Sequence, residues 1–171
     1  MHPVAFHSEV NKRSGLLEMV MRAHLFSASL QRKGYRSLAK LADRMIRLMF
    51  TAIIPSEAEI HRSVRFFHNG FRVAITKESR IAENCQIGIG VTLASRWPAL
   101  GGPILERGVI VYTNAVLLGP VRIGEESVIA ANALVITDVP PRCLVSGNPA
   151  RVFEKDIDSS KYRYPDRLDG L

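Results

Sequence analysis

Residues 75–93 read ITKESR-IAENCQ-IGIGVT-L, a stretch that returns to an aliphatic residue at every sixth position. Ile75, Ile81, Ile87 and Leu93 form a first run, and Leu105, Val111, Leu117, Ile123, Ile129 and Val135 continue it in the same phase. A period of six is neither the 3.6 of a helix nor the 2 of a simple strand, so it marks stacked repeats. Four residues after each aliphatic stand Ser79, Cys85, Val91, Val109, Ala115, Val121, Ser127, Ala133 and Val139, all small or β-branched. Immediately before those lie Asn84, Gly90, Gly108, Asn114, Asn132 and Asp138. These types tolerate positive φ, as a turn repeated in every hexad requires.

The phase breaks twice. Phe67-His68-Asn69-Gly70-Phe71-Arg72 interrupts it first, and Ser95-Arg96-Trp97-Pro98-Ala99-Leu100-Gly101-Gly102-Pro103 then leaves the coil as a loop. Segments ejected from a repeating scaffold are where function is usually placed.

At 171 residues one domain is expected. The charge of +7 is uneven: residues 1–50 carry nine Lys/Arg against three Asp/Glu, and the remainder fourteen against thirteen. The basic character thus belongs to the N-terminal segment. No nucleic-acid motif or aromatic–basic interleaving accompanies it, so nucleic acid is not expected as a partner. Ser14 can cap a helix running to about Lys33, with Gly34 suited to its end, and a second helix is expected from Ser37 to Phe50. Leu38, Leu41, Met45, Leu48 and Met49 line one face of that second helix, and Arg36, Lys40, Arg44 and Arg47 another. The bland reading is a solvated face; the sharper one is peripheral contact with an anionic membrane surface. Cys85 fills an inward small-residue slot, there is no CxxC spacing, and no secretory or membrane-spanning pattern appears. A reduced cytoplasmic setting, with membrane association left open, follows.

The expected architecture is mainly β, a parallel β-helix with a short α-helical N-terminal segment. It divides into a helical segment 1–54, repeats over 55–150, and a polar tail 151–171 that is expected to be partly disordered.

Chemistry turns on histidine, whose pKa near neutrality suits a general base. Of His2, His7, His24, His61 and His68, only His68 sits at an interruption of the repeat. Three histidines converging on a metal are not available in the repeats, so no metal and no carbonic-anhydrase chemistry is expected.

Several pieces carry a family resemblance: Ile54-Pro55, the hexad at Ile60, the His68 loop, Ile81-Ala82-Glu83-Asn84-Cys85, Gly90-Val91-Thr92-Leu93 and Ser146-Gly147-Asn148-Pro149-Ala150-Arg151. Together, from Ile53 to Phe153, they resemble the hexapeptide-repeat serine acetyltransferases and their relatives in surface-polysaccharide gene clusters. The resemblance implies a left-handed coil, a homotrimer, and acetyl-CoA as acyl donor. It implies His68 as the base and Ser95, Thr113, Ala131 and Arg151 as contacts for the coenzyme. Phe67, Asn69 and Trp97 are the candidate acceptor contacts.

The departures are informative. Ile53 and Phe67 stand where serine acetyltransferases carry aspartates near the base, and Gly101-Gly102 replaces an Arg-His pair. Loss of those groups favours a sugar or glycan-precursor hydroxyl as acceptor over serine. A non-catalytic β-helix scaffold is the alternative from another class.

Overall fold

The computed structural model describes residues 19–164. Two helices come first, α1 (Met19–Arg32) and α2 (Arg36–Phe50), joined by a turn in which Gly34 takes φ +86°. The expected Ser14 cap and the segment before it lie outside the described residues. Four coils of short strands follow. The first holds β1 (Glu59–Ile60), β2 (Arg65–Phe66) and β3 (Ala74–Ile75); the second β4 (Arg80–Ile81), β5 (Gln86–Ile87) and β6 (Thr92–Ala94). The third holds β7 (Ile104–Leu105), β8 (Ile110–Val111) and β9 (Val116–Leu118), and the fourth β10 (Arg122–Ile123), β11 (Val128–Ile129) and β12 (Leu134–Val135). A terminal hairpin, β13 (Cys143–Gly147) and β14 (Ala150–Lys155), closes the stack.

Like strands of successive coils pair in parallel to give three sheets. Sheet A runs β3-β6-β9-β12, sheet B β1-β4-β7-β10, and sheet C β2-β5-β8-β11-β13-β14, the last strand antiparallel. The pairing places hexad aliphatics directly above one another: Ile81 opposite Leu105, Leu105 opposite Ile123, Ile87 opposite Val111, Leu93 opposite Leu117. All ten predicted aliphatics and all nine companion small residues are buried. Each fully buried aliphatic contributes about 1.5–3 kcal/mol, so the prism interior holds the chain together. Cys85 belongs to it: burial pushes its thiol up to about 12, which makes it a packing group rather than a nucleophile.

The ladder spacing measures the interruptions. Leu105 to Ile123 is eighteen positions, three hexads. Ile60 to Ile81 is twenty-one, the extra residues falling at the His68 turn, and Ile81 to Leu105 is twenty-four, the extra falling in the 95–103 loop. The strands on either side keep register because both insertions are ejected at corners.

Five of the six predicted turn residues take positive φ: Asn84, Gly90, Gly108, Asn114 and Asn132. Asp138 does not; its carboxylate instead accepts the Arg122 backbone N–H at 2.8 Å. Glu126 takes that conformation (φ +55°), with its N–H donated to the Arg107 carbonyl and its carboxylate paired with the Arg107 guanidinium.

The tail expected to be partly disordered is, through Tyr164, folded onto sheet C. Ile110 and Val128 point away from the prism and are buried with Ile157 of the tail, beside Tyr112, Leu144 and Tyr162. At β8 and β11 sheet C is therefore apolar on both faces, as parallel sheets covered on both sides are. The outward residues Arg80 and Arg122 of sheet B stay exposed in ion pairs with Glu59 and Glu106. Such surface pairs add little stability.

The helices dock through a small polar network. Asp43 of α2 accepts from the Ser27 hydroxyl of α1 at 2.5 Å and from the Ser56 N–H and hydroxyl at 3.2 and 3.0 Å. Val20, Met21 and Ile46 add apolar contacts to the solenoid core. The far side of α2 remains uncovered, with Leu38, Leu41, Met45, Leu48 and Met49 exposed. None of the described helices is long and apolar enough to cross a membrane.

His24 of α1 is fully buried, and burial holds its imidazole below the ordinary 6.5, with Asp43 opposing in part. The unfolded chain therefore takes up a proton that the folded chain refuses. Stability from this site is complete above 6.5 and is lost as pH falls through 6.5 toward the folded value. Urea midpoints should drop between pH 7 and pH 5, less so in His24→Gln; parallel drops in the two proteins would take the effect away from His24.

Candidate functional site

The corner between sheets C and A carries the first interruption. After β2 the chain makes a 3-10 turn, Phe67–Gly70, in which His68 (φ +49°, ψ 44°) and Asn69 (φ +55°, ψ 30°) are left-handed and Gly70 follows at φ +67°. Left-handed backbone costs most non-glycine residues about 1–2 kcal/mol, asparagine less, so two such residues in a row, His68 above all, are held there by their surroundings. Gly70 sits against Val20 of α1, where an added Cβ would meet the valine methyl at 3.4 Å. Phe67 is buried, with the Arg65 guanidinium 5.4 Å from its ring centroid and the Tyr164 ring at 4.1 Å. Between these anchors the His68 side chain is exposed to solvent. No carboxylate or other described group bonds to its imidazole. Asn69 Oδ1 is buried and has no hydrogen-bond partner among the described residues.

Ile53, at the position where the resemblance calls for an orienting carboxylate, runs beside the strand that leaves this turn. Its N–H donates to the Val73 carbonyl at 2.8 Å, and its side chain is half exposed. An aliphatic group there offers the imidazole no hydrogen bond.

The same corner recurs in every coil. The Gly90 N–H donates to the Phe71 carbonyl (3.0 Å), the Asn114 N–H to the Ile89 carbonyl (2.8 Å), and the Asn132 N–H to the Thr113 carbonyl (3.0 Å). His68, Thr113 and Ala131 thus share one edge of the prism. Ser95 and Trp97 do not: they leave β6 at the next corner, across sheet A. There the Ser95 hydroxyl lies 3.3 Å from that of Thr76, and Trp97 is almost fully exposed. Gly102, in the same loop, packs so closely that a Cβ would meet Thr76 and the Ser79 backbone within 2.8 Å. Arg151 lies on β14, exposed, its guanidinium bonded to the Ala150 carbonyl. His61 points outward and bonds Ser63, whose hydroxyl accepts the Asn84 N–H at 2.8 Å. That is a turn-stabilising role. Among the described residues no three His, Cys, Asp or Glu side chains converge as a metal site would require.

Sequence reasoning missed one part of this site: Tyr164, whose ring lies on Phe67, and Gln86, Tyr112 and Tyr162, which hold Tyr164 and the tail before it in place. Their association depends on the tail folding back, which no local periodicity encodes. The doubled apolar pairs Ile110-Val111 and Val128-Ile129 are the trace it leaves, since an outward apolar residue in a coil needs a cover.

No family model matches the chain. It is 33% identical over 150 residues to the serine acetyltransferase of Mycobacterium tuberculosis, a match spanning 84% of this chain and 65% of that protein. A soybean serine acetyltransferase structure superposes with a TM-score of 0.76 at 31% identity, over 82% of this chain and 58% of that one. The fold is the left-handed β-helix of the serine acetyltransferase-like hexapeptide-repeat proteins. A further serine acetyltransferase structure of this fold, described as a complex with CoA, superposes with a TM-score of 0.73 at 26% identity, over 78% and 55% of the two chains. The chain spans about half to two-thirds of the length of these serine acetyltransferase-like proteins.

Trp97 tests whether the second loop is built for packing. With its ring in solvent, Trp97→Ala should change unfolding free energy by less than about 0.5 kcal/mol. A loss well above 1 kcal/mol in urea titration would instead give the indole a structural role in the fold.

Proposed function

We propose that this chain is an acetyl-CoA-dependent O-acetyltransferase in which His68 is the general base. The observation that carries the reading is the shared edge: His68 at the first coil, with Thr113 and Ala131 stacked above it as a backbone-lined rail for the coenzyme. His68 removes the proton of an acceptor hydroxyl as that oxygen attacks the thioester carbonyl. The tetrahedral oxyanion is held by backbone N–H donors, Ser95 N–H among them. Collapse breaks the C–S bond, and the imidazolium returns its proton to the departing CoA sulfur. The similarity to serine acetyltransferases, one of them described with CoA bound, supports both donor and reaction class. Arg151 is the group available for a CoA phosphate.

On acceptor, the named relatives support serine, which displaces the sugar hydroxyl as the first reading. The sugar reading, and with it a place in surface-polysaccharide synthesis, survives as the second. It is favoured by one specific observation: Ile53, Phe67 and Gly101-Gly102 give a free amino acid no charged side chain to grip. Asn69 and Trp97 then become the acceptor contacts.

Because Ser95 and Trp97 lie across sheet A from His68, the site is incomplete in one chain. A second copy whose 95–103 loop faces this edge would complete it, which supports a homotrimer. The reduced cytoplasmic setting is part of the same reading, supported by two buried free thiols.

Calorimetric titration should give one CoA site per chain, and His68→Ala should lower turnover of serine, or of the responding sugar acceptor, by at least about a hundredfold. No CoA binding at millimolar ligand would return the chain to the scaffold reading, and near-normal turnover in the variant would remove His68 as the base. For α2, contact with an anionic surface is proposed from its exposed leucines and methionines beside Arg36, Lys40, Arg44 and Arg47. The protein should cosediment with phosphatidylglycerol vesicles at low salt and not with phosphatidylcholine ones; equal recovery from both would remove that contact.

A further inference from the structure

We infer that the C-terminal strap, residues 156–164, is the positioning element of the base-bearing turn, acting through Tyr164, Gln86 and Phe67. This rests on the reading of His68 as the base and supplies what that reading lacks, since among the described residues no carboxylate bonds to the imidazole.

The strap is fixed at several independent points. Gln86 of β5 is buried, and its side chain holds Tyr164 at both backbone groups. Oε1 accepts the Tyr164 N–H at 3.0 Å, and Nε2 donates to the Tyr164 carbonyl at 3.4 Å. The Arg163 guanidinium donates to the carbonyls of Asn84 and Gly108, at 3.2 and 3.4 Å, tying the strap to the turns of two successive coils. The Tyr112 hydroxyl donates to the Tyr162 carbonyl at 2.5 Å. So held, the Tyr164 ring lies over Phe67 with centroids 4.1 Å apart and planes inclined at 39°, and meets Tyr112 edge-on at 5.1 Å.

Phe67 is the residue before His68, and it anchors that side of a turn whose next two residues are left-handed. On the other side Gly70 is seated against Val20 of α1. The turn is therefore gripped at both ends by elements remote in sequence, a helix before the coils and a strap after them. A strained backbone persists only when such contacts over-determine it. Releasing one grip frees the peptide that aims the imidazole, without touching the coil edge proposed for the coenzyme. Gln86 also explains itself in this way: a buried polar side chain on an outward sheet position needs partners, and the strap backbone supplies them.

The test compares Tyr164→Ala, Gln86→Leu and Tyr164→Phe with wild type in the full chain. The phenylalanine variant keeps the ring and is expected to keep wild-type turnover. The other two should lower kcat between about ten- and a hundredfold, the scale of a small misplacement of a catalytic group, with KM for acetyl-CoA little changed. A second readout needs no acceptor. The His68 Cε1–H resonance, identified by its absence in His68→Gln, should shift and broaden in Tyr164→Ala and stay in place in Tyr164→Phe. An unmoved resonance in Tyr164→Ala, kcat unchanged in both disruptive variants, or a phenylalanine variant as impaired as the alanine one would each overturn the positioning role. Failure of the base reading is separate: it shows as full turnover in His68→Ala, whatever the resonance does.

Discussion

Everything in this protein depends on the vertical stacking of hexad aliphatics inside a three-sided prism. Parallel pairing sets successive coils about 4.8 Å apart. Each strand in the coils is only two or three residues long, too short to be stable alone. Stability comes from continuity, because every coil covers the apolar interior of its neighbour. That is why the period is strict where the chain is in the wall, and why a residue added within a wall would turn the following side chains the wrong way.

Corners are the places where the wall can be left without that penalty. The two insertions occupy two different corners, and the strands on either side resume register as if nothing had intervened. Chemistry-bearing groups can therefore be placed on a rigid frame without distorting it. The cost is local: the His68 turn departs from relaxed backbone geometry and leans on parts of the chain outside the coil it belongs to.

The coils were legible from sequence because one physical rule, burial of every sixth residue, repeats ten times. Asn84, Gly90, Gly108, Asn114 and Asn132 were legible because each type is suited to the turn it occupies. Glu126 was not, since nothing in a glutamate marks left-handed backbone; only its place before Ser127 in the hexad does. Asp138 shows the converse, a suitable residue type that its local hydrogen bond directs elsewhere. His68 stood out as a histidine at a break in phase. What surrounds it could not be read so, because the Phe67–Tyr164 contact joins residues nearly a hundred positions apart through a tail with no periodicity.

A stack of parallel strands has two open ends, and each is a template on which further strands could grow. Here the ends are finished differently. At the start, α1 and α2 lie against the first coil; at the finish, β14 reverses direction and pairs antiparallel with β13. The reversal breaks the translational symmetry that would let a second molecule continue sheet C as another coil. The terminal hairpin is thus a stop for sheet C, one of the three walls that the repeats build.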